Sequence, residues 1–506
     1  MEPDVYQNFR LGNNQVQYLY QGTTLVWPPE TPHPGNPDIR LEYISNGTAR
    51  TQPNVYFDTQ FNWTDTTQVE CKYSYHSAVN NSALFGAVDN GGWTKEYSFM
   101  LRGATHNTGS STTYQRTAFF YNKTGFNSST YENHSGVVIG TPEVDTPHIF
   151  RTAIYQGVSV IYDGGTYSYS PEALTGKTGS LYLFAVNDID NNGAPIRFAS
   201  ADTRIYAMKI YHGDVADPVL YRYFIPVLHY DNAKEEYVPC LYDKVSHTYF
   251  YNKGTDPVGY AIYYYHGQQD FVLDYIERDN TGYLQYTTNT DVSTNINFNV
   301  GFTVGSRRVK MTDLTQNIVV GSRYDASKKF GLFFPYYDSS TTFAFQALGG
   351  RTEMTYDASA HVTDNHRADH IEFYMSKGNA TTGRGAHAIV KWMEFPDGTL
   401  PDASTYIKRG DDPSEQFTEV DSSVVGTSIG IFTGNTVHSQ VSTRIYFVDF
   451  SKYSYWSSNS ISYGLQTPKE SYIPMWRSGQ ACLVDPFTNV VLYNSGPGTP
   501  KIMELG

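Results

Sequence analysis

Two short acidic stretches carry the side chains that glycoside hydrolysis uses: EVDTPH at 143–148 and EVDSSV at 419–424. Glycosidases that retain configuration need two closely spaced carboxylates, as in the strand pattern E-x-D-x-x-E, because an acid and a nucleophile must flank one glycosidic bond. Both stretches lack the final Glu. His148 is an alternative acid, but DTPHIF matches RADHIEF at 367–373, which favours a histidine at the start of a strand. We therefore do not expect an enzyme.

A third stretch, DIDNNG at 188–193, offers hard oxygen ligands. Asp188, Asp190 and Asn192 are spaced as in the first half of an EF-hand loop, which predicts a calcium site. Position twelve of such a loop is Ala199 and not a bidentate Glu. Because short Asp, Asn and Gly runs also form ordinary turns between strands, the turn stays the competing interpretation. No other cofactor is expected.

Two tryptophans lie in segments with the composition of sugar-binding loops. Trp93 follows Asp89 and Asn90 and two glycines in DNGGWTKEY, and Trp456 lies in YSYWSSN. An aromatic face beside short polar side chains suits a sugar ring, so these four residues are the predicted carbohydrate contacts. Either tryptophan could instead fill a core.

Charge and hydropathy exclude several classes of protein. The net charge is -14, from 36 basic and 50 acidic residues, which argues against nucleic-acid binding. No apolar run approaches the roughly 18 residues of a membrane helix, so no membrane insertion is expected.

The first residues lack the basic and apolar regions of a secretory signal, so we expect folding in a cytoplasm. The three cysteines fit that compartment and are predicted to be small buried hydrophobes: Cys71, Cys240 and Cys482.

Composition and patterning predict an all-β protein. The 44 Tyr and 28 Phe favour strands, while 42 Gly and 24 Pro interrupt the chain too often for long helices. TRIYAMKIY at 203–211 alternates, with Ile205, Ala207, Lys209 and Tyr211 predicted to share one face.

The chain also repeats itself. CLYDKVSHTYFYN at 240–252 and CLVDPFTNVVLYN at 482–494 share five of thirteen residues, and TRIY at 203–206 recurs at 443–446. Further matches fall in the same order, so we predict two tandem domains. The predicted boundaries are an N-terminal segment 1–27, a proline-rich linker 28–37, domain 1 at 38–260, a linker 261–272 and domain 2 at 273–506. Each closing stretch reads as a hairpin whose Asp243 or Asp485 accepts backbone N–H groups in the turn.

These stretches resemble the concanavalin A-like, or laminin G-like, jelly-roll domains found in proteins of gut bacteria and their phages. The resemblance rests on LEYISNGTARTQPNVYFDT, RIYAMKIY, RYFIPVLH and CLYDKVSHTYFYNKGT, and it is thinner in 273–499. It implies an all-β fold of two tandem jelly-roll β-sandwiches preceded by a short β anchor segment. It also implies a tendency to bind glycans, although some members are purely structural.

VQYLYQGTTLVWPP at 16–29 resembles the N-terminal segment of many phage virion proteins. It predicts a two-strand ribbon turning near Gly22, which is marginally stable alone and needs a partner surface. The alternative is that these strands simply extend the first sandwich. The predicted anchor residues are Val16, Leu19, Tyr20, Leu25, Val26 and Trp27.

The resemblances together imply a structural virion protein of a bacteriophage, a head or tail fibre or decoration subunit. It would bind other virion proteins through its N-terminus, form a homo-oligomer, with a trimer expected, and adhere to bacterial surface glycans. Its location would be the virion, after folding in the host cytoplasm. Two alternatives remain: a depolymerase acting on bacterial polysaccharide, and a purely structural protein without a ligand.

Overall fold

The structure is a computed structural model. It describes residues 6–11, 14–17, 19–21, 24–27, 37–47, 55–64, 67–76, 83–90, 96–107, 113–121, 137–139, 143–154, 158–163, 165–169, 179–189, 192–196, 202–214, 217–278, 284–288, 296–304, 318–325, 328–333, 342–346, 354–357, 370–376, 387–393, 406–409, 429–432, 443–454 and 464–504. The described residues contain no helix, which confirms the predicted all-β class. Accordingly, none of them belongs to a helix that could cross a membrane.

The N-terminal segment forms two small antiparallel ribbons, each of which pairs only within itself among the described strands. In the second ribbon Gln21 pairs with Thr24, so β3 and β4 form the predicted two-strand ribbon, while Gly22 lies outside the described residues. The strands are β1 (Tyr6–Leu11), β2 (Asn14–Gln17), β3 (Leu19–Gln21) and β4 (Thr24–Trp27).

The next strands form what we call the first repeat, followed by a short hairpin. The first repeat comprises β5 (Ile39–Ser45), β6 (Phe57–Asn62), β7 (Gln68–Tyr75), β8 (Ala83–Asn90), β9 (Glu96–Asn107), β10 (Thr113–Tyr121), β11 (Val137–Ile139), β12 (His148–Ile154), β13 (Val158–Tyr162), β14 (Gly165–Tyr169), β15 (Ser180–Leu183), β16 (Val186–Asp188), β17 (Ala194–Ile196), β18 (Thr203–Asp214), β19 (Asp217–Asp231), β20 (Glu236–Asp243), β21 (Thr248–Phe250) and β22 (Gly259–Ile262). The hairpin is β23 (Tyr264–Tyr265) and β24 (Gln268–Gln269).

The remaining strands form the second repeat. They are β25 (Phe271–Arg278), β26 (Tyr286–Thr287), β27 (Ile296–Val304), β28 (Ile318–Asp325), β29 (Lys328–Phe333), β30 (Thr342–Gln346), β31 (Met354–Asp357), β32 (His370–Ser376), β33 (His387–Met393), β34 (Tyr406–Arg409), β35 (Gly430–Ile431), β36 (Thr443–Ser454), β37 (Gly464–Arg477), β38 (Gln480–Val484), β39 (Val491–Tyr493) and β40 (Lys501–Glu504).

Both repeats have the same sheet topology, except that β16 and β17 pair with each other and β16 pairs with β8, without a counterpart among the described strands of the second repeat. In the first, one sheet runs β14-β13-β12-β7-β18-β19-β20-β21, with β5 pairing to β18, β19 and β22, and the other runs β6-β15-β8-β9-β10-β11. In the second, the corresponding orders are β34-β33-β32-β27-β36-β37-β38-β39, with β25 pairing to β36, β37 and β40, and β26-β35-β28-β29-β30-β31. Each repeat is therefore a β-sandwich of the jelly-roll kind. The predicted domain boundaries themselves stay predictions.

Two hydrophobic cores organise this architecture. The first lies between the two sheets of the first repeat and includes Phe85 of one sheet and Phe150 of the other, whose rings are 6.0 Å apart. The second core joins the two repeats and draws side chains from both. The large sheet of the first repeat is therefore covered on both faces, by its own second sheet and by the second repeat.

The strand β18 shows this double burial and corrects one prediction. Ala207 and Tyr211 face the second repeat, as predicted for their shared face, but Ile205 packs in the first core with Met208. A register shift between Ile205 and Ala207, where β18 pairs with β7, is the reason. A bulge adds one residue to a strand and so moves the residues before it to the opposite face.

Candidate functional sites

All four predicted glycan contacts fall where the structure gives no side-chain description. Asp89 and Asn90 end β8, and their backbones pair with Tyr97 and Glu96 of β9. Trp93 and Trp456 lie outside the described residues. The four carbohydrate contacts stay predictions, as do the roles of the anchor side chains on β2, β3 and β4.

The predicted calcium loop connects β16 to β17. Asp188 ends β16 and its carbonyl oxygen accepts a 2.9 Å hydrogen bond from the N–H of Gly193. Asn192 has a φ of 54°, a left-handed conformation usual for Asn in a turn. Asp190 is outside the described residues. Within the described ranges no group of three or more His, Cys, Asp or Glu is arranged to hold a metal ion, and the calcium site stays a prediction.

The described residues of the carboxylate stretch EVDTPH make contacts that stabilise the fold. His148 begins β12, which confirms the strand-start prediction, and its Nδ1 lies 2.6 Å from Oδ2 of Asp163. Asp145 contacts His76 and lies 3.4 Å from Nη1 of Arg204. The second stretch, 419–424, is outside the described residues.

The three cysteines are free and buried, as predicted. Burial raises the pKa of Cys482 to about 12, and it also raises the pKa values of Cys71 and Cys240 well above the ordinary value. Each thiol therefore stays protonated and unreactive at neutral pH.

The closing hairpins confirm the turn role predicted for the two aspartates. Asp243 accepts hydrogen bonds from the backbone N–H groups of Tyr223 at 2.7 Å and Val245 at 3.1 Å. Asp485 accepts one from the N–H of Phe487 at 2.8 Å. Both carboxylates are buried, so their oxygens are committed to the fold.

The repeated asparagine at the end of each hairpin has one role in both repeats. The side-chain oxygen of Asn252 accepts from the N–H of Tyr56 at 3.0 Å, and that of Asn494 accepts from the N–H of Gln285 at 2.9 Å. Each asparagine also donates to two carbonyl oxygens of the loop that follows it. The repeated motif therefore has a structural role in both places. We call the hydrogen bonds of Asn252, and those of Asn494, an asparagine clasp.

The two repeats meet at a junction with a local two-fold relation. The N–H of Arg40 donates to the carbonyl of Asp270, and the N–H of Val272 donates to the carbonyl of Asp38, both at 3.0 Å. Positions 38 and 270, and 40 and 272, correspond in the two repeats. Reciprocal contacts between equivalent residues are the mark of an isologous interface, here formed within one chain.

Apolar side chains fill this junction. They come from the outward faces of the large sheets and of the closing hairpins, and they form one core: Ala207, Tyr211, Leu220, Tyr223, Ile225, Val227, Cys240, Tyr242, Val245, Val272, Tyr275, Tyr446, Phe447, Ile473, Met475, Cys482, Val484 and Phe487. An apolar core of this kind is typical of a permanent interface.

Buried charges cross the junction at equivalent positions of β18 and β36. Lys209 and Asp449 occupy the same place after TRIY in the two repeats, and their side chains are 2.7 Å apart with no exposed area. Lys209 is also 3.2 Å from Glu70, which binds Arg151. Burial alone would lower the pKa of Lys209, but the carboxylates of Asp449 and Glu70 outweigh it and raise that pKa.

A tyrosine surface lies beside the junction, and the sequence analysis did not single it out. We call it the tyrosine patch and define it as Tyr263, Tyr265 and Tyr493. Tyr493 is 38% exposed, and its hydroxyl lies close enough to that of Tyr265 for the two groups to interact electrostatically. The guanidinium of Arg477 lies 4.5 Å from the ring centre of Tyr265 and 5.3 Å from that of Tyr263. The run YYYHG at 263–267 was the available signal, but a sequence does not show which tyrosines are exposed.

Comparisons with known proteins give little further information. No family model matches the chain, and no curated protein matches it. Among solved structures, the search finds the mouse laminin alpha1 chain, domains LG4-5, at 10% sequence identity, covering 94% of this chain and 96% of that one, with a TM-score of 0.23. A TM-score this low supports no argument about this chain, so the fold assignment rests on the sheet topology given above.

Proposed function

We propose that this chain is a structural, non-enzymatic virion protein of a bacteriophage, a fibre or decoration subunit that displays two joined β-sandwiches for adhesion to host-surface glycans. The observation that carries the proposal is the division of the described chain into two unlike parts. Small ribbons that pair only within themselves precede a pair of sandwiches with a buried junction. An anchor followed by a rigid displayed body has this organisation.

The N-terminal ribbons support an anchoring role through their size. An isolated two-stranded hairpin is marginally stable in water, so β3 and β4 gain stability by docking on another surface. The resemblance of residues 16–29 to phage virion segments suggests that this surface belongs to other virion proteins. A homo-oligomer, with a trimer as the expected form, and a virion location after folding in the host cytoplasm belong to the same proposal.

The tyrosine patch supports adhesion. Exposed tyrosine rings present a flat apolar face and a hydroxyl, which together suit the faces and hydroxyl groups of sugars. The patch lies on residues 263 and 265 and on β39 in the closing hairpin of the second repeat, and Arg477 contacts the rings of Tyr263 and Tyr265. It adds to the predicted contacts at Trp93 and Trp456.

Antibody labelling of virions under the electron microscope tests the virion assignment. Labelling of heads or tails is expected, and labelling of neither would contradict the proposal.

Binding of the purified chain to a glycan array tests adhesion, and an array without any bound glycan would favour the purely structural alternative. Incubation with host capsule, followed by measurement of reducing ends, tests the enzymatic alternative, because a steady release would overturn the non-enzymatic assignment.

A further inference from the structure

The buried cluster around Lys209 combines features that a simple ion pair does not need. The Lys209 Nζ lies 2.7 Å from Oδ1 of Asp449 and 3.2 Å from Oε2 of Glu70, and none of the three side chains is more than 2% exposed. The ring of Phe487 lies 4.6 Å from the same nitrogen, and the ring of Tyr223 lies 5.2 Å from it. An amine, a carboxyl group and a second carboxylate therefore share an enclosure walled by aromatic rings.

The charges of the cluster divide into two neutral pairs. Glu70 accepts hydrogen bonds from Nε of Arg151 at 2.8 Å and from Nη2 of the same residue. Lys209 and Asp449 form the second pair. Loss of both charges of the second pair would thus leave Glu70 and Arg151 compensated by each other. The buried carboxylate of Asp485, which also lies in the field of Lys209, would keep its hydrogen bonds from the N–H of Phe487 and the hydroxyl of Thr488.

Hydrogen-bond donors surround the Asp449 carboxyl group. Its Oδ2 accepts from the hydroxyl of Tyr211 at 2.9 Å, and its Oδ1 accepts from the hydroxyl of Ser471 at 2.8 Å. Fixed donors of this kind withdraw electron density from a carboxyl carbon and stabilise the negative charge that develops on its oxygens during nucleophilic attack.

We propose that Lys209 and Asp449 condense to an intramolecular isopeptide bond that joins the two repeats covalently, with Glu70 as the proton carrier. Glu70 removes a proton from the Lys209 ammonium, and the free amine attacks Cγ of Asp449. The new C–N bond forms as one C–O bond of the carboxyl group breaks. The proton held by Glu70 and a second proton from the amine leave with that oxygen as water. No oxidant, cofactor or second substrate enters the reaction.

Proximity and desolvation favour this step. Groups held in reactive geometry act at effective concentrations of about 10⁵–10⁸ M, which offsets the unfavourable condensation of an amine with a carboxylate in water. Two buried charges have a desolvation penalty that a neutral amide avoids. Because the carboxylates raise the pKa of Lys209, the amine needs a base in direct contact, and Glu70 is in that position.

Mass spectrometry of the purified, folded full-length chain tests the proposal without any variant. The expected intact mass is below the sequence mass by the mass of one water molecule. Tryptic digestion is expected to give one branched species that contains Lys209 and Asp449, residues 240 positions apart. An intact mass equal to the sequence mass, with the two peptides recovered separately, would show an ion pair only and overturn the proposal.

Matched variants identify the atoms involved. Lys209→Arg keeps the positive charge but cannot form the amide under these conditions, so the full sequence mass and two separate peptides are expected. Asp449→Asn offers a different leaving group, so its linked form would be lighter by one ammonia. Glu70→Gln keeps the size of the proton carrier but not its basicity, and slower linkage during a time course after refolding is expected. Linkage of Glu70→Gln at the wild-type rate would overturn the role given to Glu70.

Discussion

Each repeat has a basic residue that contacts the equivalent aspartate, Asp38 or Asp270. The basic residue is a histidine in the first repeat and an arginine in the second. In the first repeat, Nδ1 of His229 lies 2.8 Å from Asp38, whose other oxygen accepts from the hydroxyl of Tyr249 at 2.8 Å. In the second repeat, Asp270 binds the permanently charged Arg477. Arg40 of the first repeat also reaches Asp270, at 3.3 Å.

One sheet topology, used twice, thus forms an asymmetric junction. A junction between identical copies would place like residues opposite each other on the local two-fold, and a lysine would then face a lysine. Here Lys209 faces Asp449 and Tyr223 faces Ser471, so the buried charges are complementary. Divergence at a few positions thus makes each repeat fit the other better than a copy of itself.

The largest expected effect comes from removing one side of the charge pair. Relative to the chain in which Lys209 and Asp449 are not linked, Asp449→Ala should lower the free energy of unfolding by about 3–5 kcal/mol, because it leaves Lys209 buried with a carboxylate that Arg151 already uses. Urea denaturation measures the change. The matched control is the double variant Lys209→Met with Asp449→Leu, which should cost less than the single change because no lone charge is buried. A single change that costs under about 1 kcal/mol would contradict the importance of the pair.

The closing turns differ in a titratable group, which gives a pH-dependent test. Lys244 in the first repeat corresponds to Pro486 in the second. Burial lowers the pKa of Lys244 from 10.5 to about 8, against the opposing effects of Asp274 and Asp38. Its ammonium group donates at 2.8 Å to the carbonyls of Leu273 and Asp274.

The difference in proton binding between the folded and the unfolded chain sets the direction in which stability changes with pH. Between pH 8 and 10.5 the unfolded chain binds more protons at Lys244 than the folded chain does, so the free energy of unfolding should rise with pH in that window. The total rise from this group is about 3 kcal/mol. Denaturation of the wild type and of Lys244→Met at several pH values measures it, with the variant lacking this component. Parallel pH profiles for the two proteins would exclude Lys244 as its source.

The two asparagine clasps should respond alike. Asn252→Ala and Asn494→Ala each remove two accepted and two donated hydrogen bonds in partly buried surroundings, so each should cost about 1–2 kcal/mol. Thermal unfolding of both variants, side by side, checks the equivalence. A large effect at one position and none at the other would limit the structural comparison of the two hairpins.

The smallest effect on stability is expected in the tyrosine patch. Tyr493→Ala should change the free energy of unfolding by about 0.5 kcal/mol, since the side chain is 38% exposed. The same variant should weaken binding to any glycan that the wild type binds. Tyr260→Ala is the control, because that exposed tyrosine lies outside the patch. Equal glycan binding by all three proteins would remove the patch as a contact.

The sequence by itself determined the local features of this protein. It predicted the strands, the repeated hairpin, the aspartate turns and the buried cysteines, because these depend on residue spacing within a few positions. The strand that begins at Thr203 also shows the limit of such reasoning. Alternation predicted its faces, but the bulge after Ile205 moved that residue to the other core. A bulge depends on the neighbouring strand and has no reliable local pattern.

Only the tertiary structure decided what covers the outer face of each large sheet. An apolar face must be buried, yet its pattern does not name its partner, so the sequence could not show that the two repeats pack together. The approach of Lys209 to Asp449, 240 residues along the chain, follows from that packing alone. A lysine on a strand usually indicates solvent, and it is the second repeat that turns this position into the buried centre of the junction.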